Sequence, residues 1–286
     1  MRCGSIKVEN MSQAYLIYDE RMELHEDQDE CSVQVERPQR IVSIKDKLIS
    51  LQERLMTYRE FNMALPLPLE EAKEGSNNLL PFIHMQSEAA SQEIVELAHS
   101  TEYYNRLKET SSMTDEELKN LNTIDCTIEE DSSTCSDDED MYFCKDTFLA
   151  ALLACGGVKM CVDAVTSETT PTKRALAIVR PPGHHACEQK AMGFCFFNSV
   201  VVAAKHAIKS KRATKVAILD WDIHHGNGSQ DLTYDDPDIL YISLHRYGKK
   251  YGEEFFPGTG KSSEVGGSKE NLQAVGSKFM YQYDYK

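Results

Sequence analysis

Val216-Ala-Ile-Leu-Asp220-Trp-Asp222-Ile-His224-His225-Gly-Asn227-Gly228 is the segment whose pattern most clearly indicates an α/β fold. Its first four residues are apolar and predict a buried strand, and side chains that titrate or bind metal follow directly at the strand's end. Ligands of α/β folds bind at the carboxyl ends of such strands. Asp222 and His224 are two residues apart, so an extended backbone directs both side chains to the same side.

A second stretch, earlier in the chain, has the same arrangement. Ala175-Leu-Ala-Ile-Val179 predicts a strand, and Arg180-Pro-Pro-Gly-His184-His185 follows it. Imidazole has an unperturbed pKa near ~6.5, which suits the histidine pair to proton transfer. Asp220 and Asn227 are expected to bond the far ring nitrogens of these histidines and so to set their tautomer and basicity.

Asp222 and His224 supply one carboxylate and one imidazole, a partial shell for a divalent transition metal, of which zinc is the first candidate. A catalytic zinc needs three protein ligands and an open position for water, so these two residues alone are not enough. An isolated His-His or Asp-x-His is common in loops without any function. Here two such clusters each follow an apolar strand, and glycines permit tight turns beside them. This combination favours metal-assisted hydrolysis.

Strands and helices alternate along the rest of the chain. Further strands are predicted at Ala14–Tyr18 and Ile239–Leu244; helices are predicted from Pro38 to Leu55 and over residues 91–98, 101–108, 114–121, 148–165 and 199–209. Residues 60–88 are predicted to be irregular because Pro66, Pro68 and Gly75 interrupt them. This order predicts a parallel sheet with right-handed crossovers, and 286 residues suit one α/β domain.

The charge and the cysteines narrow the possible partners and compartments. The formal net charge of −15 argues against direct binding to nucleic acid and suits a basic, lysine-rich partner. Nine cysteines without any C-x-x-C pair favour a reducing compartment. We expect no signal peptide because residues 1–10 are mixed polar, and the longest apolar run, Phe148–Val158, is shorter than the ~20 residues of a membrane span. We expect a soluble nuclear or cytoplasmic protein.

Residues 125–140 form an acidic segment with eight Asp and Glu residues and neither Lys nor Arg. Such a run repels itself and has little apolar surface to bury, so we expect a flexible, solvated loop. A second interpretation is that the segment helps to attract a cationic substrate.

Five strings, in this order, carry a resemblance to a known family: RPPGHHA, MGFCFFN, DWDIHHGNG, SLHRY and FFPGTG. They closely resemble the zinc-dependent histone deacetylases, and Trp221 and Asn227 favour the class II (Hda1-like) branch. The resemblance runs from about Ala14 to Gly267. It implies the arginase-deacetylase fold, which has three layers with a central parallel sheet and helices on both faces.

The resemblance also implies roles for individual residues. The family hydrolyses N-acetyl-lysine on histones or other proteins, using zinc and a histidine that moves protons. The matching zinc ligands are Asp222 and His224; the matching catalytic group is His184 and His185 with their orienting partners Asp220 and Asn227. The walls of the substrate tunnel match Gly193, Phe194 and Phe256, and Arg40 matches a residue of an internal channel.

A structural potassium site of the family has counterparts here as well. It is matched by Asp220, Asp222, the backbone carbonyls of His224 and Leu244, and the side chain of Ser243. A hard cation prefers such oxygen ligands, so the match is chemically consistent.

The family pattern breaks after Gly267. The third zinc ligand, an Asp, and an oxyanion-stabilising Tyr belong to later motifs that this sequence does not show before Lys286. We therefore expect a single, partial deacetylase domain over 1–286 that is incomplete at its C-terminus, with residues 268–286 as a divergent tail. We expect weak zinc binding and weak or absent activity.

Two alternatives to a zinc-dependent lysine deacetylase stay open at this point. One is a non-catalytic interaction protein that keeps the family's surface; the other is an acetylpolyamine amidohydrolase of the same fold. An arginase is disfavoured because its two-metal site needs more Asp ligands. The resemblance implies acetylated lysine and a corepressor complex as partners, with no direct contact to DNA or membrane.

Overall fold

Parallel strands flanked by helices dominate the described part of the chain. The computed structural model describes residues 14–27, 34–63, 82–121, 124, 126, 141–170, 172–250 and 253–264. The strands are β1 Ala14–Tyr18, β2 Phe82–Gln86, β3 Ala175–Ala177, β4 Val216–Asp220, β5 Ile239–Ser243, β6 Lys249–Lys250 and β7 Glu253–Glu254. The α-helices are α1 Gln39–Met63, α2 Gln92–Val95, α3 Thr101–Glu109, α4 Asp115–Lys119, α5 Thr147–Thr166, α6 Ser199–Lys209 and α7 Asn227–Thr233.

The longer strands pair in parallel, as the alternation of strands and helices predicted. β1 lies between β2 and β3 in one sheet, and β4 pairs with β5 in another. β6 and β7 form a short antiparallel pair. The α/β class with a parallel sheet and packed helices is thus confirmed, although β1 to β5 are divided between two parallel sheets instead of forming one.

Helix α5 is the central helix of the core. It packs against α6, β1 and β3, and its first half, from Thr147 to Gly157, is buried apart from Leu149. By length and composition α5 would also pass as a membrane span, but the buried core helix of a soluble protein passes the same test. Gly156 is required here because an added Cβ would lie 1.6 Å from the carbonyl oxygen of Glu88.

Local capping signals in the sequence fix several helix starts. Thr114 and Glu117 form the predicted capping box at the start of α4. The side chain of Asn198 accepts a hydrogen bond from the backbone N–H of Val201 and so caps α6, whose predicted bounds are confirmed.

The prediction of an irregular segment over residues 60–88 was wrong at both ends. Helix α1 continues to Met63, and β2 begins at Phe82. The short sequence of β2, FIHMQ, has no clear alternation, and pairing with the edge of β1 makes it a strand. The predicted acidic loop, apart from Cys126, and the predicted tail over 268–286 lie outside the described residues.

The pairing of β4 with β5 positions the groups of interest. Asp220, the last residue of β4, is in register with Ser243, the last residue of β5. The backbone beyond both strands stays connected, because Leu244 N donates to Asp220 O at 2.8 Å and Arg246 N donates to Ile223 O at 2.8 Å. The segments that follow the two strands are therefore held side by side at the carboxyl edge.

Candidate active site

The tandem histidines lie with their ring centroids 4.0 Å apart, and each has its own partner. His184 Nδ1 is 2.9 Å from Asp220 Oδ2, and His185 Nδ1 is 2.8 Å from Asn227 Oδ1. The hydroxyl of Tyr241 also donates to Asp220 Oδ2, at 2.8 Å. One histidine is thus paired with a carboxylate and its neighbour with a neutral amide.

The His184–Asp220 and His185–Asn227 pairs differ in charge. Burial, followed by the charge of the neighbouring His184, lowers the pKa of His185 to about 3, so its imidazole is neutral at pH 7. Burial acts to raise the pKa of Asp220, but hydrogen bonds from His184 and Tyr241 outweigh it and the net shift is downward. Asp220 is therefore a carboxylate at neutral pH.

Asp222 and His224 lie beside these histidines and face one another. Asp222 Oδ1 accepts from the backbone N–H of His224 at 2.8 Å and lies 3.1 Å from His224 Nδ1. The hydrogen bond with the His224 side chain is the main cause that lowers the pKa of Asp222. The side chains are 49% and 39% exposed, so both donor atoms are accessible from outside.

This donor pair fits a divalent cation of the zinc type, because one carboxylate oxygen and one imidazole nitrogen are close enough to share an ion. The described residues bring no third His, Cys, Asp or Glu to the pair as a metal cluster. Asp222 and His224 therefore provide two of the three protein ligands that a catalytic zinc requires.

One cavity of about 500 Å³ brings the predicted residues together. Its lining consists of Val35, Glu36, Arg40, Pro182, His184, His185, Gly193, Phe194, Asp222, His224 and Phe256. A Cβ at Gly193 would lie 2.4 Å from His185 Cδ2, so only glycine lets the backbone approach that ring. Gly193 and Phe194 both have positive φ angles, 56° and 65°, which turn this segment toward the cavity wall.

Three of the predicted residues, Arg40, Ser243 and Leu244, make no hydrogen bond to the tandem histidines among the described contacts. Arg40 lines the same cavity but is directed toward Glu36, with its Nη1 3.4 Å from Glu36 Oε1. Ser243 is buried and pairs with His245, with 2.8 Å between Ser243 Oγ and His245 Nδ1. Leu244 follows it, and its N–H is bonded to Asp220 O.

The contacts of Phe255 with His224 and with Arg246 were not predicted from the sequence. The Phe255 ring lies parallel to the His224 imidazole at 5.0 Å, and the guanidinium of Arg246 lies 4.6 Å from the centre of the same Phe255 ring. The FFPGTG and SLHRY motifs contain these two residues, but only the fold shows that Phe255 lies between His224 and Arg246 in contact with both.

A buried ion pair at the cavity wall was also not predicted from the sequence. Arg180 Nη2 lies 2.7 Å from Glu36 Oε2, and both side chains are 1% exposed. Arg180 also donates to the hydroxyl of Tyr142 at 2.6 Å and to the carbonyl oxygens of Met22 and His25. The pair joins the strand end that precedes the tandem histidines to the segment before α1.

Comparisons with known proteins agree with this architecture. Residues 35–282 match the model of the histone deacetylase domain. The chain is 34% identical to histone deacetylase clr3 of Schizosaccharomyces pombe, covering 85% of this chain and 31% of that protein. It is 35% identical to histone deacetylase HDA1 of Candida albicans, covering 88% of this chain and 28% of that protein.

A solved structure shares the fold. The crystal structure of the HDA15 HD domain superimposes with a TM-score of 0.68 at 28% identity, covering 93% of this chain and 62% of that chain. By comparison, the chain spans about a third of the length of clr3 and of HDA1. Because the family model matches most of the sequence and the relatives include Hda1 itself, the chain belongs to the histone deacetylase family, on its class II, Hda1-like branch.

Proposed function

We propose that this site hydrolyses the amide of N-acetyl-lysine. The observation that carries the proposal is that one cavity is lined by the tandem histidines, by the Asp222–His224 pair and by the aromatic rings of Phe194 and Phe256. Metal-assisted amide hydrolysis needs a proton acceptor, metal ligands and a surface for the substrate, and the cavity offers all three.

Zinc is the metal that we propose for the Asp222–His224 pair. A bound zinc ion would supply Lewis-acid polarisation of the acyl oxygen. Full activity requires a third protein ligand in addition to these two. We further propose that Asp220, Asp222, Ser243 and the carbonyls of His224 and Leu244 hold a potassium ion, since all offer oxygen atoms.

His185 is the proton acceptor in this proposal. It is neutral at pH 7, and its Nδ1 is engaged by Asn227, which leaves Nε2 as the nitrogen that takes a proton. His184 is paired with the Asp220 carboxylate, whose Oδ2 lies 2.9 Å from His184 Nδ1 and fixes the orientation of the ring. The two histidines thus have different partners suited to different proton-transfer roles. Arg40 lines the same cavity.

Phe194 and Phe256 suit the apolar part of an acyl-lysine. Phe256 lies edge-on to His185 with ring centroids 5.0 Å apart, and Phe194 lines the same cavity. Between such rings the methylene stem of a lysine would be removed from water while its far end faces the donor pair.

The acidic character of the chain supports a lysine-rich protein substrate, such as a histone tail, because opposite charges favour encounter. By analogy with the family we propose that the protein works in the nucleus or the cytoplasm, within a corepressor complex.

The test is release of acetate from an acetyl-lysine peptide. It is run on the 286-residue chain and on the same chain joined to the C-terminal half of a class II deacetylase, which supplies the further ligand. We expect little turnover by the chain alone and robust, metal-dependent turnover by the joined protein, lost on His185→Ala or Asp222→Asn. The exposed Asp238→Asn serves as the matched carboxylate control.

Two results would overturn the proposal. One is a joined protein that hydrolyses acetyl-polyamines but no acetyl-lysine peptide. The other is turnover that persists unchanged after both active-site substitutions.

A further inference from the structure

Asn227 is the hydrogen-bonding partner of His185, and its amide can be placed in two ways. With Oδ1 toward the ring, His185 Nδ1 must carry the proton and donate it; with Nδ2 toward the ring, Nδ1 must be the acceptor and the proton moves to Nε2. Only the first arrangement leaves Nε2 free to accept a proton. The orientation of one buried amide therefore decides whether His185 can act as a base.

Two sulfur atoms lie on the far side of this amide. Asn227 Nδ2 is 3.6 Å from Cys187 Sγ and 3.6 Å from Met192 Sδ, while Asn227 Oδ1 is 2.8 Å from His185 Nδ1. Asn227 is only 8% exposed, so water does not readily replace these partners.

The chemistry of the two sulfurs discriminates between the two orientations. A thioether accepts hydrogen bonds and never donates, so Met192 favours the NH₂ group over the carbonyl oxygen. The thiol of Cys187 has acceptors of its own, the carbonyl oxygen of His185 at 3.6 Å and Asp231 Oδ2 at 3.8 Å. With the thiol proton directed to either of these oxygens, the sulfur's lone pairs face the amide.

We propose that Cys187 and Met192 are positioning residues that fix the Asn227 amide with Oδ1 toward His185 and thereby hold His185 in its Nδ1–H tautomer. Both sulfurs act through Asn227, not on the substrate. The consequence for catalysis rests on the deacetylase function proposed above; the tautomer itself does not.

Nitrogen NMR of the imidazoles reads the tautomer directly. The full, metal-free chain is labelled with ¹⁵N-histidine, and long-range ¹H–¹⁵N correlation at neutral pH distinguishes a protonated from an unprotonated ring nitrogen. A His185→Gln sample identifies the His185 signals. We expect the unsubstituted chain to show His185 with Nδ1 protonated and Nε2 unprotonated.

Removal of the two sulfur acceptors should release the amide. In Cys187→Ala/Met192→Leu the ratio of Nδ1–H to Nε2–H at His185 should fall about tenfold or more, because two hydrogen bonds that favour one orientation are lost. Cys161→Ala/Met113→Leu is the matched control, since these residues lie away from the site, on α5 and next to α4, and it should leave the ratio unchanged. Asn227→Asp added to the double variant should return the proton to Nδ1, because a carboxylate has no donor side.

Met192→Leu alone nearly conserves volume and keeps the test decisive if the double variant does not fold. It should lower the ratio severalfold. An unchanged ratio in a folded double variant or in Met192→Leu, or an unsubstituted chain already in the Nε2–H form, would overturn the inference. Failure of the deacetylase assay would leave these spectra unaffected, so the two proposals fail separately.

Discussion

The imidazole of His224 lies parallel to the ring of Phe255, with centroids 5.0 Å and planes 2° apart. Arg246 covers the same Phe255 ring, at 4.6 Å from its centre. This packing limits the rotation of the imidazole, whose Nδ1 faces Asp222 Oδ1. The orientation of one proposed metal ligand thus depends on a phenylalanine that is not itself a ligand.

Loss of this stack should weaken metal binding. A ring contact of this kind contributes about 0.5–1.5 kcal/mol, so Phe255→Leu should lower Co²⁺ affinity about 2- to 10-fold. Phe82→Leu, in β2 and away from the cavity, is the control. Equal affinities in both variants, measured by titration against a competing chelator, would contradict an orienting role for Phe255.

The buried Arg180–Glu36 pair should be important for stability. Glu36→Gln leaves the Arg180 charge buried without its counter-ion, which should lower the free energy of unfolding by about 3–5 kcal/mol. Glu109→Gln removes the exposed partner of Arg106 and should cost less than about 1 kcal/mol. Urea denaturation of the two variants checks the difference, and comparable losses would show that the Arg180 pair is not buried in solution.

His99 should make the protein sensitive to acid. Burial lowers its pKa to about 4, and its Nε2 accepts the backbone N–H of Asn198, which requires the neutral ring. The unfolded chain, with a pKa near ~6.5, binds the proton first, so stability is complete above that pH and is lost as the pH falls toward 4.

The loss attributable to His99 should reach about 3 kcal/mol, because one pKa unit corresponds to about 1.4 kcal/mol. His99→Gln should therefore show a flatter stability profile between pH 7 and pH 4, whereas His84→Gln, at an exposed position, should follow the unsubstituted chain. Parallel profiles for all three proteins in denaturant titrations would refute the assignment.

Leu219, Trp221 and Ile223 form an exposed apolar row that alternates along the chain with Asp220 and Asp222, and the fluorescence of Trp221 measures the exposure of this row. Trp221 is 80% exposed, and Leu219 and Ile223 on the same side are 54% and 58% exposed. Because the sequence contains one tryptophan, its fluorescence reads this position alone. We expect the emission of an indole in water, quenched readily by acrylamide. Blue-shifted emission that resists the quencher would mean that this face is covered in solution.

The sequence predicted features whose signals are local. The bounds of α6 follow from the Asn198 cap and the apolar residues behind it. The pairing of His184 with Asp220 was expected because each of the two polar segments directly follows a predicted strand. Both depend on residues close to a strand or helix end, where the geometry is regular.

The remaining features depend on contacts between distant parts of the chain. Arg180 and Glu36 are 144 residues apart, so neither motif reveals that they pair. Strand β2 exists because the edge of β1 is available to it, which a short sequence without alternation does not show. The stacking of Phe255 on His224 and the position of Arg246 over Phe255 likewise depend on segments that only the fold brings together.

The function proposed for this site requires that Asp222 and His224 bind one metal ion, which Co²⁺ titration followed by visible absorption detects. We predict one weakly held ion per chain, with affinity reduced at least about tenfold in Asp222→Asn and in His224→Ala and unchanged in Asp238→Asn. Equal Co²⁺ affinity in all four proteins, or no binding by the unsubstituted chain, would show that Asp222 and His224 are not the ligands of a metal ion.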